Sequence, residues 1–353
     1  MYQVRSVLWI RSLKHQNPCR RSLNIPRDFS SVNQSTKFSR FKNITKPNVD
    51  EFGALSDAPL PYRSLIKPTV FTVLFSTASF TAATIWQYEN MRERAQVIIS
   101  SPKSWFLDKL EPSNLWIQKQ FGANSALKRG SFRQMINVWW NALSEGEKVW
   151  VPIAFANFLV YAAWKVPRWQ GFMVRYFCSN PAGKEVWPMF LSAFSHCSLV
   201  HMGVNLFVLN SFMPNVVNSL GKEQFLAFYC SAGVFSSLLS YASKVALVSN
   251  TVSLGASGAI MAVLSYTCSK HPETLLSIVF LPFIVFKAGL GLKMIMGLDL
   301  TGLLLRWRTF DHAAHLGGAL FGLFWCHYGS TLIWQKRGPI LQYWHELRNK
   351  KNE

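Results

Sequence analysis

Acidic residues are scarce in this chain: 17 Asp and Glu stand against 37 Lys and Arg, and charged residues together make up only 15% of its 353 residues. Half of the residues are hydrophobic and 14% are aromatic, a balance that argues against two or three ordinary soluble domains and for a membrane protein. Metal-ligand spacing is missing too. The six cysteines (Cys19, Cys178, Cys197, Cys230, Cys268 and Cys326) form no CxxC pair, and four of them lie inside apolar stretches, so they read as packing residues rather than a disulfide framework. His196, His201, His312 and His315 could be imagined around a metal, but neither an HExxH motif nor a paired acidic ligand accompanies them. Zinc-finger, basic-region and RNA-binding signatures are absent as well, which argues against a nucleic-acid partner for the net charge of +20. Lys and Arg beside apolar spans instead set topology and meet anionic lipid headgroups.

What is present falls into a basic front and an apolar remainder. Residues 1–49 carry ten Lys or Arg and a single acid, Asp28. That Arg- and Ser-rich, acid-poor composition predicts a mitochondrial targeting segment, and the apolar run from Val7 to Ile10 is cut by Arg11 too early for a secretory signal. Within residues 50–148, the 21 uncharged residues from Pro68 to Tyr88 are long enough for a first transmembrane helix. A polar connector follows over 89–148, expected to be solvent-exposed and partly helical. Beyond Lys148, charge-free runs cover 149–164, 186–221, 224–243, 245–269 and 312–335, and an apolar stretch at 274–297 is interrupted by Lys287 and Lys293. The run 186–221 is too long for one span and too short for two with a turn. It predicts a partly buried loop and then a helix over roughly 199–218. The expected fold is therefore all-α and polytopic, with a six-helix core at 149–335, one additional N-terminal transmembrane helix and a polar tail at 336–353. The piece 165–198, with Trp169, Phe172, Tyr176, Phe177 and Trp187, is expected to rest at the membrane interface.

Polar side chains inside apolar spans are costly and each asks for a reason. Ser257 lies between Gly255 and Gly258 in Leu254-Gly-Ala-Ser-Gly-Ala259. By itself this is equally a small-residue packing patch whose serine bonds its own helix. It is not the GxSxG elbow of soluble hydrolases, because Ala259 holds the last glycine position and no strand pattern precedes it. His315 begins Ala314-His-Leu-Gly-Gly-Ala-Leu-Phe-Gly322, with Gly318 and Gly322 further along its face, a pattern that also suits a dimerisation surface. His312 competes with it for the role of base, and Asp311 reads as a helix cap. His201 and Asn205, at i and i+4, point from one helix face and could donate hydrogen bonds to an oxyanion. Together these groups supply a nucleophile, a base and oxyanion donors.

Gly255-Ala-Ser-Gly258, the AHxxGxxxG pattern at Ala314 to Gly322, and His201 followed by Asn205 resemble the rhomboid proteases over roughly residues 149–330, in the family's order on the second, fourth and sixth core helices. The additional N-terminal span and the basic leader are similar to the family's mitochondrial inner-membrane branch, the presenilin-associated rhomboid-like group. The resemblance implies a multi-pass intramembrane serine protease with a catalytic dyad, Ser257 as nucleophile and His315, rather than His312, as base. It implies oxyanion donors from the Ser257 backbone N–H, His201 and Asn205, no cofactor, and single-span membrane proteins as substrates, such as an inner-membrane dynamin-related GTPase. A dyad agrees with the lack of an evident acid in the apolar runs. Alternatives are a catalytically inactive rhomboid-like scaffold, against which the intact Ser257 and His315 speak, and a transporter subunit, whose repeated halves are missing here.

Overall fold

A computed structural model describes residues 6–8, 59–100 and 131–352, apart from positions 197, 250, 279, 280 and 308. A single turn of 3₁₀ helix at Tyr62–Leu65 leads into α1, Ile66–Ser100, so the helix expected over 68–88 continues well past its apolar part. Helix α2, Ser131–Ala142, exposes Phe132, Met135, Ile136, Trp139 and Trp140. Six core helices follow: α3, Glu145–Ala163; α5, Leu199–Leu220; α6, Lys222–Ala246; α7, Ser257–Lys270; α8, Ala288–Leu304; and α9, His312–Phe324, which continues as a π-helix to Trp334. The short α4, Gln170–Phe177, lies between α3 and α5, and its neighbourhood exposes Trp169, Phe172 and Trp187. The polar tail is helical as α10, Gly338–Asn352, and docks on α1, where Trp344 Nε1 donates to Glu89 Oε1 at 2.8 Å and Arg348 bonds the same carboxylate.

Local chemistry sets the helix starts. Ser144 and Glu147 close a capping box on α3, the Ser198 hydroxyl accepts from the His201 N–H to cap α5, and Asp311 Oδ1 accepts from the Ala314 N–H at 2.9 Å to cap α9. Helix α7 is buried without interruption from Gly258 to Cys268, as a helix apolar on all sides should be. It packs most extensively on α9, and both also contact α6. The periphery is apolar as well: Val70, Val73, Phe155, Phe158, Leu290 and Leu300 are exposed. So much outward apolar surface suits a lipid surrounding. By length and composition α1 with its preceding turn and α6 can each cross a membrane. So can two bent pairs if each is one span: Glu145–Ala163 with Pro167–Phe177, bent by 97°, and Pro188–Phe194 with Leu199–Leu220, bent by 92°.

Two expected spans are built differently. The stretch 274–297 is not one helix: β2, Leu275–Ile278, pairs antiparallel with β3, Leu281–Lys287, and only then does α8 begin. Strand β1, Ser6–Leu8, joins β2 in parallel; the rest of the expected targeting segment lies outside the described residues. Ile278, Phe283, Ile284, Val285 and Phe286 are β-branched or aromatic, and a short apolar run of such residues has no periodicity to separate strand from helix. The run 245–269 is likewise divided, since α6 ends at Ala246 and α7 starts only at Ser257. Its 14 residues reach about 21 Å, short of a hydrocarbon core of about 30 Å. The residues before Ser257 have backbone partners in the protein: Ser179 and Ser253 exchange backbone hydrogen bonds at 2.8 and 2.9 Å, and Ala256 is fully buried although Val252 is exposed. Irregular backbone in a membrane protein is tolerated where its polar groups are bonded in this way.

Candidate active site

Ser257 is the first residue of α7, so its N–H is among those the helix itself cannot bond, at the end where the helix dipole favours negative charge. The approach is fixed by the segment before it. The Gly255 N–H donates to the Ser192 carbonyl at 2.9 Å, and the Ala256 N–H donates to His196 Nε2 at 3.4 Å. Gly255 has φ +128°, a conformation that side chains disfavour, and a Cβ there would lie 3.0 Å from His201 Cε1 and 3.9 Å from Ser257 Oγ. The missing side chain thus lets the His201 ring come up beside Ser257.

His315 arrives from α9. A Cβ on Gly318 would lie 1.8 Å from the Gly258 carbonyl oxygen, and one on Gly322 would lie 2.3 Å from the Ala262 carbonyl oxygen. Two glycines therefore bring α9 against α7, and the Ser265 hydroxyl donates across the contact to the Ala319 carbonyl at 2.9 Å. At this separation His315 Nε2 lies 2.9 Å from Ser257 Oγ, a hydrogen-bonding distance between residues 58 apart in sequence.

The expectation that no acid lies near the pair is not met. Asp299, on α8, places Oδ1 2.7 Å from His312 Nδ1 and 3.2 Å from His315 Nδ1. In the sequence Asp299 stands two residues beyond the apolar stretch 274–297, where a charge reads as the end of a span rather than as a group within one. His312 is buried against Gly302 and turns its Nδ1 toward Asp299; the histidine nitrogen on Ser257 is His315 Nε2. Asp311 is the cap it was expected to be and more. It pairs with Lys244 at 3.3 Å, accepts from Ser240 at 2.5 Å and also bonds Ser253. Burial alone would push the Asp311 carboxyl up, but the Lys244 ammonium, the Ser240 and Ser253 hydroxyls and the Ala314 N–H outweigh it and hold it at about 2.

Of the expected oxyanion donors, His201 stands beside Ser257, and Asn205 is buried one turn further along α5 with one amide hydrogen given to the His201 carbonyl at 2.9 Å. His196 had been weighed only as a metal ligand. Its ring packs on His201 with centroids 5.0 Å apart while Nε2 supports the Ala256 N–H. Among the described residues no group of three or more His, Cys, Asp or Glu side chains is arranged to hold a metal ion. A small cavity of about 30 Å³ next to Ser257 is bordered by Ser192, Ser236, Ser240 and Ser253 together with Ala193 and Leu254. The arrangement offers a hydroxyl on an imidazole nitrogen, donors to one side and a small cavity, which is chemistry for acyl transfer.

Residues 183–331 match the Rhomboid domain. The chain is 49% identical over 292 residues to the presenilin-associated rhomboid-like protein, mitochondrial, of Homo sapiens, covering 82% of this chain and 73% of that protein. It is 48% identical over 303 residues to the Bos taurus protein of the same name, covering 86% and 76%. Rhomboid protein 1, mitochondrial, of Saccharomyces cerevisiae is 30% identical over 190 residues, covering 53% and 54%. With mitochondrial relatives and helices of membrane-crossing length, this is a mitochondrial membrane protein. The chain belongs to the rhomboid family, whose members are generally intramembrane serine proteases, and within it to the presenilin-associated rhomboid-like group.

Proposed function

We propose that the chain is an intramembrane serine endopeptidase that cuts single-span membrane proteins in the mitochondrial inner membrane. The observation that carries this reading is the 2.9 Å contact between Ser257 Oγ and His315 Nε2. The Ser257 hydroxyl adds to the scissile carbonyl carbon as its proton passes to His315 Nε2. The imidazolium returns that proton to the leaving amine as the C–N bond breaks, leaving an acyl group on Ser257 Oγ. Water then adds to the acyl carbon, gives a proton to His315, and the serine regains its hydrogen as the acid product leaves. The cavity of about 30 Å³ beside Ser257 supports the hydrolytic half, since it is large enough for one water. Negative charge on the tetrahedral oxygen meets the Ser257 N–H at the α7 terminus, with His201 and Asn205 as side-chain donors.

A substrate helix must unwind before its backbone can react, because carbonyls within a regular helix are bonded and shielded. An inner-membrane dynamin-related GTPase is the proposed substrate by kinship, and residues 1–49 are the proposed targeting segment. The test is cleavage of a single-span substrate by the protein reconstituted in liposomes. Ser257→Ala and His315→Ala are each expected to lower kcat by on the order of 10⁴-fold or more, and a fluorophosphonate probe should label Ser257 only in the wild type. Undiminished cleavage by either variant would sink the assignment.

A further inference from the structure

The geometry points to Asp299 as a positioning residue that fixes the tautomer and basicity of His315, an inference that rests on the Ser257 and His315 reading above. Asp299 lies in the apolar helix α8 and is only 4% exposed, so its charge needs a compensating arrangement. The arrangement is a pair of imidazoles: one oxygen, Oδ1, faces Nδ1 of both His312 and His315. An ionised carboxylate can only accept hydrogen bonds. Both histidines therefore carry their hydrogen on Nδ1 and donate it to Oδ1.

For His315 the consequence is chemical. With hydrogen on Nδ1, its Nε2 has a bare lone pair directed at the Ser257 hydroxyl 2.9 Å away, the form a general base requires. The same negative charge favours the imidazolium that forms once Nε2 has taken the serine proton. The two helices are matched for this contact. His312 and His315 are three residues apart on α9, and on α8 Asp299 is followed three residues later by Gly302, where a Cβ would stand 2.5 Å from His312 Nε2. Gly302 lets the His312 ring lie against α8, and α8 meets α9 with its carboxylate between the two imidazoles. Among the described titratable residues, those around His315 are His201 from α5, Lys244 from α6, Asp299 from α8, and Asp311 and His312 from its own end of α9. Only Asp299 faces its Nδ1.

The experiment is the pH dependence of kcat and KM for cleavage of a single-span substrate in liposomes by wild type, Asp299→Asn, His312→Ala and Ser257→Ala. Asp299→Asn is expected to lower kcat by on the order of 10²-fold or more with KM within about threefold, and to move the acidic limb of the kcat profile to lower pH, because the imidazole loses its anionic neighbour. His312→Ala leaves the Ser257 contact intact and is expected to lose less than tenfold with the limb unmoved. Melting in detergent reports whether each variant is folded, and Asp299→Ser, with the same expected shift, replaces Asp299→Asn if that variant does not accumulate. An Asp299 variant with wild-type kcat and limb, beside an inactive Ser257→Ala, overturns the role of Asp299 and leaves the protease reading standing. Equal kcat losses in the Asp299 and His312 variants with neither limb moved assign Asp299 to packing alone and also overturn it. Activity surviving in Ser257→Ala removes the protease reading itself.

Discussion

At Gly255 the backbone holds φ +128° and the His201 ring occupies the space where a side chain would stand, so a single methyl group tests two constraints together. Gly255→Ala is expected to cost about 1–3 kcal/mol through backbone strain and to push His201 away from Ser257. On the oxyanion role proposed for His201, the combined effect should appear as a lower melting temperature in detergent and a kcat reduced by roughly tenfold or more, since losing one such donor costs on the order of 10²-fold in other acyl-transfer enzymes. At this scale the sequence was informative for some residues and silent for others. Ser257, His315, His201 and Asn205 were legible because each is a polar group in an apolar run with small or polar neighbours at helical spacing. Asp299 is not legible in this way, because it stands just beyond a stretch already broken by Lys287 and Lys293 and reads as a residue at its end. Nothing in its local spacing announced that two imidazoles thirteen and sixteen residues away would share one of its oxygens.

Helix against helix, the decisive contact is α7 on α9. The Gly318 position admits no side chain, because a Cβ would lie 1.8 Å from the Gly258 carbonyl oxygen, and that obstacle is backbone that cannot rotate away. Gly318→Ala is expected to destabilise the protein by about 1–3 kcal/mol and to cut activity by at least tenfold as the Ser257 to His315 contact opens. Gly297→Ala is the matched control. On α8 a Cβ at Gly297 meets nothing within 4 Å, so the change should leave activity in place and raise stability by roughly 0.5–1 kcal/mol through helix propensity. Thermal melting and cleavage on the same preparations separate the two outcomes. The glycine spacing 318 and 322 was readable in advance as a close-approach face, because that follows from helical periodicity alone. The hairpin at Leu275–Lys287 was not readable, since a short apolar run carries no period to distinguish strand from helix.

Across the molecule, Lys244 and Asp311 join three elements: α6, the extended segment at Ser253 that leads to Ser257, and the start of α9 that leads to His315. The Lys244 side chain is 6% exposed, so removing it leaves a poorly solvated carboxylate without its partner. Lys244→Met is expected to cost about 3–5 kcal/mol, and Lys244→Met combined with Asp311→Asn should recover part of that loss. The pH dependence follows from the carboxyl being held at about 2, below its ordinary value of 3.8. A carboxyl depressed in the folded state contributes stability above its unfolded value, and that contribution falls away as pH drops from about 4 toward about 2. Melting temperatures across that window should decline more steeply for wild type than for Asp311→Asn. At the other end of the molecule, the α10 tail closes on α1 through Glu89, Trp344, Arg348 and the Tyr88 to His345 contact at 2.7 Å, a docking that a polar tail sequence gave no reason to expect.

The sequence alone determined the membrane character, the all-α core with its extra N-terminal helix, the cap at Asp311, and the short set of polar residues worth suspecting. Those properties depend on local composition and on periodicities of a few residues. Only the tertiary structure decided how near His315 Nε2 comes to Ser257 Oγ, that Asp299 stands behind it, and that Ser257 opens a short helix after a segment pinned by its backbone bonds to Ser179 and Ser192. Those facts depend on how closely α7, α8 and α9 approach one another, and that distance is set by packing between residues far apart in the chain.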